Sequence, residues 1–389
     1  MVLNAEVVSK YFKDGLNYEE ILEFLRVHHN CHISLSTLKR HLRQQGLVKR
    51  PLERVRSSIE VVERYINEEL SGSSSNVGYR RMHKILQNKG LICRREDVRK
   101  LIKKLDPDGV QIRKRKRLRR RKYVNQGPNS VWHIDGHDKL KPFGFSIHGC
   151  IDGFSRRIIW LRVNSSNKLP EVVAKFYLEA CKELKGVPLR IKADDGTEHA
   201  LIEPIHIYLS SLNRNEISNS FSITTSPQNQ RIESYWATLQ KDKIGWWRRF
   251  FRDLTDNELL DTSDPVVLDC VRYCFMGIIR EDLKAIMDDW NNHIISKSRN
   301  GGPSGRPNCM YFLPHLYNAE NFLAQTDIQE IDDFFPVVSI DEPDYSAEFD
   351  EIAKLLFGAN EIEQIKNPES PEKALHNYLF LLERIAQYS

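Results

Sequence analysis

The sequence predicts an α/β core preceded by all-helical units. Three observations carry this prediction. Strand-like runs rich in β-branched and aromatic residues, followed by alternating helix and strand patterns, fill residues 128–318. Helical apolar stripes dominate residues 1–108. Charge is unevenly spread: residues 1–123 carry 30 Lys/Arg against 14 Asp/Glu and residues 320–389 carry 4 against 16, although the whole chain is only +5. A basic head of this kind is expected to meet a polyanion. The 389 residues leave room for two or three domains, and a 40% hydrophobic content is ordinary for a globular protein. No apolar run approaches the ~18–20 residues that span a bilayer. The N-terminus lacks the basic-then-apolar layout of a signal peptide, so no membrane association is expected. Seven dispersed cysteines, an odd number, argue against a disulfide framework and fit a reducing compartment.

Residues 1–50 read as a small helical unit. Its stripes are Val7, Val8, Tyr11 and Phe12, then Tyr18, Ile21, Leu22 and Leu25, then Leu35, Leu38 and Leu42. Ser34 or Ser36 can cap the third helix and Gly46 can stop it. Its outward face carries Lys39, Arg40 and Arg43, beside Thr37, His41 and Gln44. A short helix with base-capable side chains after a helix and a turn has the layout of a helix-turn-helix DNA reader. The alternative is a trihelical bundle with a solvated basic face. The run His28-His29-Asn30-Cys31-His32 is too crowded for paired zinc ligands and reads as a polar helix end. Cys270 and Cys274, at helical spacing, read as small buried apolar residues.

Residues 55–108 repeat the theme. A stripe of Ile59, Val62, Tyr65 and Ile66 is broken by the Ser/Gly-rich stretch 71–76. Gly78-Tyr79-Arg80-Arg81 then opens a helix ending near Gly90, and a further helix places Val98, Leu101, Ile102 and Leu105 inside with Arg95 and Arg99 outside. This unit resembles the second helix-turn-helix of bacterial insertion-sequence transposases, which makes Arg80, Arg81, Arg95 and Arg99 candidate DNA contacts. Residues 109–127 form a linker whose run 113–122, including Arg115, Arg119, Arg120 and Arg121, is almost pure positive charge. Such a run is expected to be extended. It suits a nuclear-localisation signal or a clamp on DNA phosphates; the bland alternative is a solvated linker.

Within 128–318, strands are expected at Trp132–Asp135, Phe145–Asp152, Arg157–Val163 and Arg190–Asp194. Helices are expected over Pro170–Leu184, over about 198–212, and as a longer element from Gln230 onward. Three carboxylates stand at the beginnings and ends of these elements: Asp135, Asp194 and Glu233. Phosphoryl transfer assisted by two divalent ions needs several converging carboxylates, and oxygen donors suit Mg²⁺ or Mn²⁺. Three acids among 53 are a weak signal by themselves.

The surrounding words strengthen it. Trp-His-Ile-Asp135-Gly-His-Asp, Ile151-Asp152-Gly153-Phe154-Ser155-Arg156-Arg157, Lys192-Ala193-Asp194-Asp195-Gly196-Thr197-Glu198, Ser226-Pro227-Gln228-Asn229-Gln230-Arg231-Ile232-Glu233-Ser234 and Trp290-Asn291-Asn292-His293 occur in that order. Together they resemble the catalytic core of retroviral integrases and insertion-sequence transposases over residues 55–318. The resemblance implies a ribonuclease-H-like core, a mixed five-stranded sheet with flanking helices. It also implies metal binding and catalysis by Asp135, Asp194 and Glu233, two Mg²⁺ or Mn²⁺ ions, cutting of DNA ends and their joining to target DNA, and a homo-multimer holding those ends. Two other readings stay open: a domesticated descendant that binds DNA or a protein without transposing, and a nuclease that does not join. A nuclear location is expected in a eukaryote and a cytoplasmic one otherwise.

Some features depart from the pattern. Asp195 replaces the usual asparagine and is, with His137, a candidate for the layer that supports the metal ligands. The Asp194–Glu233 interval is 39 positions, a few longer than is typical, and the excess in 212–224 is expected to be a mobile loop over the site. Tyr235-Trp236 near Glu233, and Trp246-Trp247 beside Arg248 and Arg249, combine aromatics with positive charge and could stack on or clamp DNA ends, although Trp246 and Trp247 also suit core packing. The acidic extension 319–389 is expected to be partly ordered, with one terminal helix, and to offer a protein-interaction segment.

Overall fold

The computed structural model describes residues 4–47, 56–72, 74, 76–114, 125–214, 219–224, 229–241, 243–297, 302–338, 344–357 and 359–387. Two compact units emerge. One joins Met1–Tyr123 to Leu239–Trp246 and Asn292–Tyr317; the other joins Val124–Thr238, Trp247–Asn291 and Asn318–Ser389.

The first unit is helical among its described residues. Helices α1 (Ala5–Lys13), α2 (Tyr18–His29) and α3 (Leu35–Gln44) bury Val8, Ile21, Phe24, Leu25, Leu38 and Leu42 around one core. Their ends follow capping chemistry. Asn17 and Glu20 form a reciprocal capping box at α2, the Ser34 hydroxyl accepts the Thr37 N–H at α3, and Gly46 leaves α3 at φ +72°. Cys309 and Leu313 complete this core, and Arg306 pairs with Glu20 at 3.3 Å. His28 hydrogen-bonds the Phe312 carbonyl and His29 the Tyr11 hydroxyl, so these two histidines work in packing at the end of α2.

Helices α4 (Ile59–Ser71), α5 (Tyr79–Asn88) and α6 (Arg95–Leu105) form a second cluster around Val62, Ile66, Met82, Leu86, Val98 and Ile102. The expected extended linker is interrupted at its start by α7 (Pro107–Lys114). Pro107 sits at the first helical position, and the Asp106 carboxylate accepts the Gly109 N–H at 2.9 Å. Arg115, Arg119, Arg120 and Arg121 lie outside the described residues.

The second unit is built on a mixed five-stranded sheet of order β3-β2-β1-β5-β6. Strands β1 (Trp132–His137), β2 (Ser146–Asp152) and β3 (Ile158–Asn164) run antiparallel. After α8 (Pro170–Leu184) and the short β4 (Gly186–Val187), β5 (Ile191–Ala193) returns parallel to β1. Helix α9 (Ile202–Ser211) leads to β6 (Phe221–Ile223), parallel to β5. Then follow α10 (Gln230–Leu239), α11 (Lys243–Asp256) and the long α12 (Pro265–Asn292). This is the ribonuclease-H-like arrangement expected. The side chain of Asn291 mimics a strand: it accepts the Ile158 N–H at 2.8 Å and donates to the Ile158 carbonyl at 3.0 Å. The edge of β3 is thereby satisfied at its first residue. Asp152 is fully buried yet structural, accepting N–H groups from Asn129 and Ser155 and the Ser155 hydroxyl to hold the β2–β3 hairpin.

Several local expectations change. The stretch 212–224 is not all loop, because its last residues form the edge strand β6. The helix expected from 198 begins only at Ile202, after a single 3₁₀ turn, Thr197–His199. The long helix from Gln230 is two helices. Trp247 is wholly buried among Phe250, Phe251 and Phe275 and donates to Asp282 at 2.9 Å, which removes it as a DNA contact. The acidic extension is more ordered than expected. Strand β7 (Ala324–Gln325) pairs with β4, and helices Ala347–Phe357, Ala359–Lys366 and Pro371–Ala386 follow. Tyr378 is buried against Phe275 and donates to the Leu259 carbonyl at 2.8 Å. The acids of the extension are partly used within the unit: Asp332 pairs with Lys182 and Asp344 with Arg280.

Candidate active site

Strand β1 lies in the middle of the sheet, and every residue from Trp132 to Asp135 is buried. Asp135 is 8% exposed and stands directly opposite Gly149 on β2. The pairing explains the glycine. A Cβ at Gly149 would lie 2.6 Å from Cη2 of Trp236, and its absence lets the indole reach over the strand. Trp236 Nε1 donates to Asp135 Oδ2 at 2.7 Å. One carboxylate oxygen is thereby held, and the group is oriented by a donor that brings no charge.

Asp194 follows the last residue of β5, the parallel neighbour of β1. The chain then turns through Asp195 and Gly196 into the 3₁₀ turn, which carries Glu198 and His199. The Glu198 carboxyl folds over Gly196, where an added Cβ would lie 2.5 Å from it, and comes within 3.9 Å of the corresponding position at Gly136, beside Asp135. Potential ligand atoms of Asp194, Glu198 and His199 all lie within 4.8 Å of one another. His199 Nδ1 faces Asp194 Oδ1 at 3.4 Å, a contact too poorly aligned to complete a hydrogen bond.

Glu233 sits in the first turn of α10, and the start of that helix is fastened to β1 by Asn229. The Asn229 amide donates to the Ile134 carbonyl at 2.9 Å, its oxygen meets His133 Nδ1 at 2.6 Å, and its own carbonyl accepts the Glu233 N–H. Arg231 adds a bond to the Gly153 carbonyl at 3.0 Å. The glutamate-bearing turn is tied to the strand that bears Asp135 and to the β2–β3 turn.

The three acids lie within electrostatic reach of one another, though of them only Asp194 belongs to the tight group with Glu198 and His199. Burial raises the Asp135 carboxyl to about 7, with further contributions from the charges of Asp194 and Glu233. Burial and then Asp194 raise Glu233 as well. Among the described residues, no Lys or Arg forms an ion pair with Asp135, Asp194 or Glu233. Converging carboxylates that repel one another and have no resident cation are a donor set suited to a hard divalent ion, so Asp135, Asp194 and Glu233 fit the group expected from the sequence.

The other sequence candidates are placed as follows. His137 is buried, with its ring centroid 5.0 Å from that of Trp236, and so packs behind the donor that holds Asp135. Asp195 is exposed and is not among the groups gathered with Asp194. On α3, Arg40 and Arg43 are exposed and Lys39 lies 5.3 Å from the Tyr18 ring. Arg80 and Arg95 are exposed, Arg81 is half-buried, and exposed Arg99 is bonded through two nitrogens to Glu96. Trp236, with Tyr235 a candidate stacking contact for DNA ends, is instead buried and bonded to Asp135; motif reading gave Glu198 and His199 no role. The only sequence signal for the latter two was their place four and five positions after Asp194.

Among the described residues, no helix is long and apolar enough to cross a membrane. No curated protein matches the chain. A family model described as integrase core domain matches residues 122–317. With its mixed five-stranded sheet and the acids gathered at β1, β5 and α10, the chain belongs to the integrase core domain family.

Proposed function

We propose that this protein is a metal-dependent DNA strand-transfer enzyme, which cuts DNA ends and joins them to a target. The observation that carries the reading is that the charges of Asp135, Asp194 and Glu233 act on one another, with no Arg or Lys paired to them among the described residues. Divalent ions, held by these three carboxylates, would supply Lewis-acid stabilisation of the attacking and leaving oxygens. The chain's own residues do the rest. Trp236 fixes one oxygen of Asp135, and the Gly136 backbone also supports the carboxylate. Asn229 holds the first turn of α10 so that Glu233 keeps its place relative to β1. The buried walls of β1 and β2 lower the local dielectric, which strengthens every charge interaction at the site. The exposed arginines of α3, α5 and α6, with the basic run 113–122, supply phosphate contacts that bring DNA to the unit. That run also serves nuclear import if the host is eukaryotic.

The test is strand transfer by the purified chain with labelled DNA ends, a target plasmid and Mn²⁺ or Mg²⁺, beside Glu233→Gln. Joined product is expected from the unchanged chain, with a loss of at least about 10²-fold in the variant, comparable to removing one stabilising group from other preorganised sites. Equal activity of the two chains would remove Glu233 from the site. Cleavage without joining would favour a nuclease.

A further inference from the structure

Behind Asp194 runs a line of buried rings that the metal-site reading leaves unused. Trp160 stands on β3, His148 on β2 and His199 on the 3₁₀ turn after Asp194; all three are at most 3% exposed. Trp160 Nε1 lies 3.1 Å from His148 Nδ1, and His148 Nε2 lies 3.2 Å from His199 Nε2. His199 Nδ1 then faces Asp194 Oδ1 at 3.4 Å, and neither atom completes a hydrogen bond, with the other or elsewhere among the described residues.

The direction of this chain follows from what each atom can do. An indole nitrogen only donates. His148 Nδ1 must therefore present a lone pair, and a neutral ring then carries its proton on Nε2. That proton points at His199 Nε2, which must accept it. A neutral His199 is left with its own proton on Nδ1, the atom facing Asp194. A doubly protonated His148 would set two N–H groups against each other at the Trp160 contact. Full burial also holds its imidazole well below the usual range.

We propose that Trp160 and His148 lock His199 as an Nδ1–H donor aimed at Asp194, making His199 a positioning residue for that carboxylate and not a metal ligand. Asp194, Glu198 and His199 are spaced closely enough to hold an ion together, but this tautomer leaves His199 no lone pair on the side of Asp194. In metal centres, donors behind a ligating group orient it and tune its affinity. The functional consequence rests on Asp194 as a metal ligand; the tautomer assignment does not.

The experiment uses the full chain labelled with ¹⁵N-histidine. Long-range ¹H–¹⁵N correlation without metal reads each ring, with signals assigned by their loss in His148→Gln and His199→Asn. The expected result is neutral His148 protonated on Nε2 and neutral His199 protonated on Nδ1. Trp160→Phe, remote from the acids, should release the lock and populate the opposite tautomers. Addition of diamagnetic Mg²⁺ should leave the His199 Nδ1–H signal in place. His199 protonated on Nε2 or on both nitrogens, or loss of its Nδ1–H on adding Mg²⁺, overturns the proposal. Calorimetric titration with Mn²⁺ adds a second readout: His199→Phe should weaken binding about 10–100-fold, whereas His199→Asn, which keeps an N–H donor near the Nδ1 position, should stay within about threefold. Unchanged affinity in His199→Phe would also overturn it. The expected tautomers in a chain that binds no Mn²⁺ would uphold the relay and contradict the metal-site reading instead.

Discussion

Burial beside Asp194 and Glu233 raises the Asp135 carboxyl from an ordinary 3.8 to about 7. The native chain therefore keeps a proton at this group that the unfolded chain has already released, and between these values the unfolded state binds fewer protons. By linkage, native stability falls as pH rises from about 4 to about 7, by up to about 4 kcal/mol, and the deficit persists above that range. Asp135→Asn removes the titrating group. The metal-free variant should melt about 2–8 °C above the unchanged chain at pH 8, and the gap should shrink at pH 4.5. Added Mg²⁺ should raise the melting temperature of the unchanged chain alone. A variant that melts lower at pH 8 would show that no such electrostatic cost is stored there. At this scale the three acids were readable because each lies within a recognisable word. The role of Trp236 was not, because its bond to Asp135 joins residues 101 positions apart, and an aromatic pair near basic residues reads instead as a surface for stacking DNA. His199 was hidden for the same reason, since its partner His148 lies 51 positions away on β2.

Gly149 shows how one element sets the geometry of another. Its missing Cβ makes room for the Trp236 indole, and the indole fixes Asp135 on the neighbouring strand. Gly149→Ala should displace the ring, destabilise the chain by about 1–3 kcal/mol through overpacking, and reduce strand transfer more than it reduces DNA binding. Retained strand transfer would mean that Asp135 needs no such support. The first three strands were legible because their β-branched and aromatic runs are long and bounded by turns. Strand β6 was not, since only Phe221 and Ile223 mark a three-residue edge strand within an Asn/Ser-rich stretch. Helix α7 was missed because the basic run it enters reads as extended, and the cap that Asp106 and Pro107 place at its start was not read. In the acidic extension the terminal helix bearing Tyr378 was legible from its apolar stripe, whereas net charge masked the stripes that bury Phe349 and Ile362.

Over the whole molecule, charge and chemistry are segregated. The proposed phosphate-binding arginines belong to the helical unit, the acids to the sheet unit, and part of the C-terminal acidity is neutralised by Lys182 and Arg280 within that second unit. Binding to DNA should therefore depend steeply on salt and little on the carboxylates. A logarithmic slope steeper than about −5 is expected from six or more phosphate contacts, equally for the unchanged chain and for Glu233→Gln. A flat salt response measured by fluorescence anisotropy would remove the basic head from DNA binding. The carboxylate cluster itself is tested most directly by anomalous diffraction from crystals of the full chain grown with Mn²⁺. Two peaks about 3.5–4 Å apart among Asp135, Asp194 and Glu233 are the predicted result; manganese coordinated by His199, or absent from these three carboxylates while bound elsewhere, would contradict it.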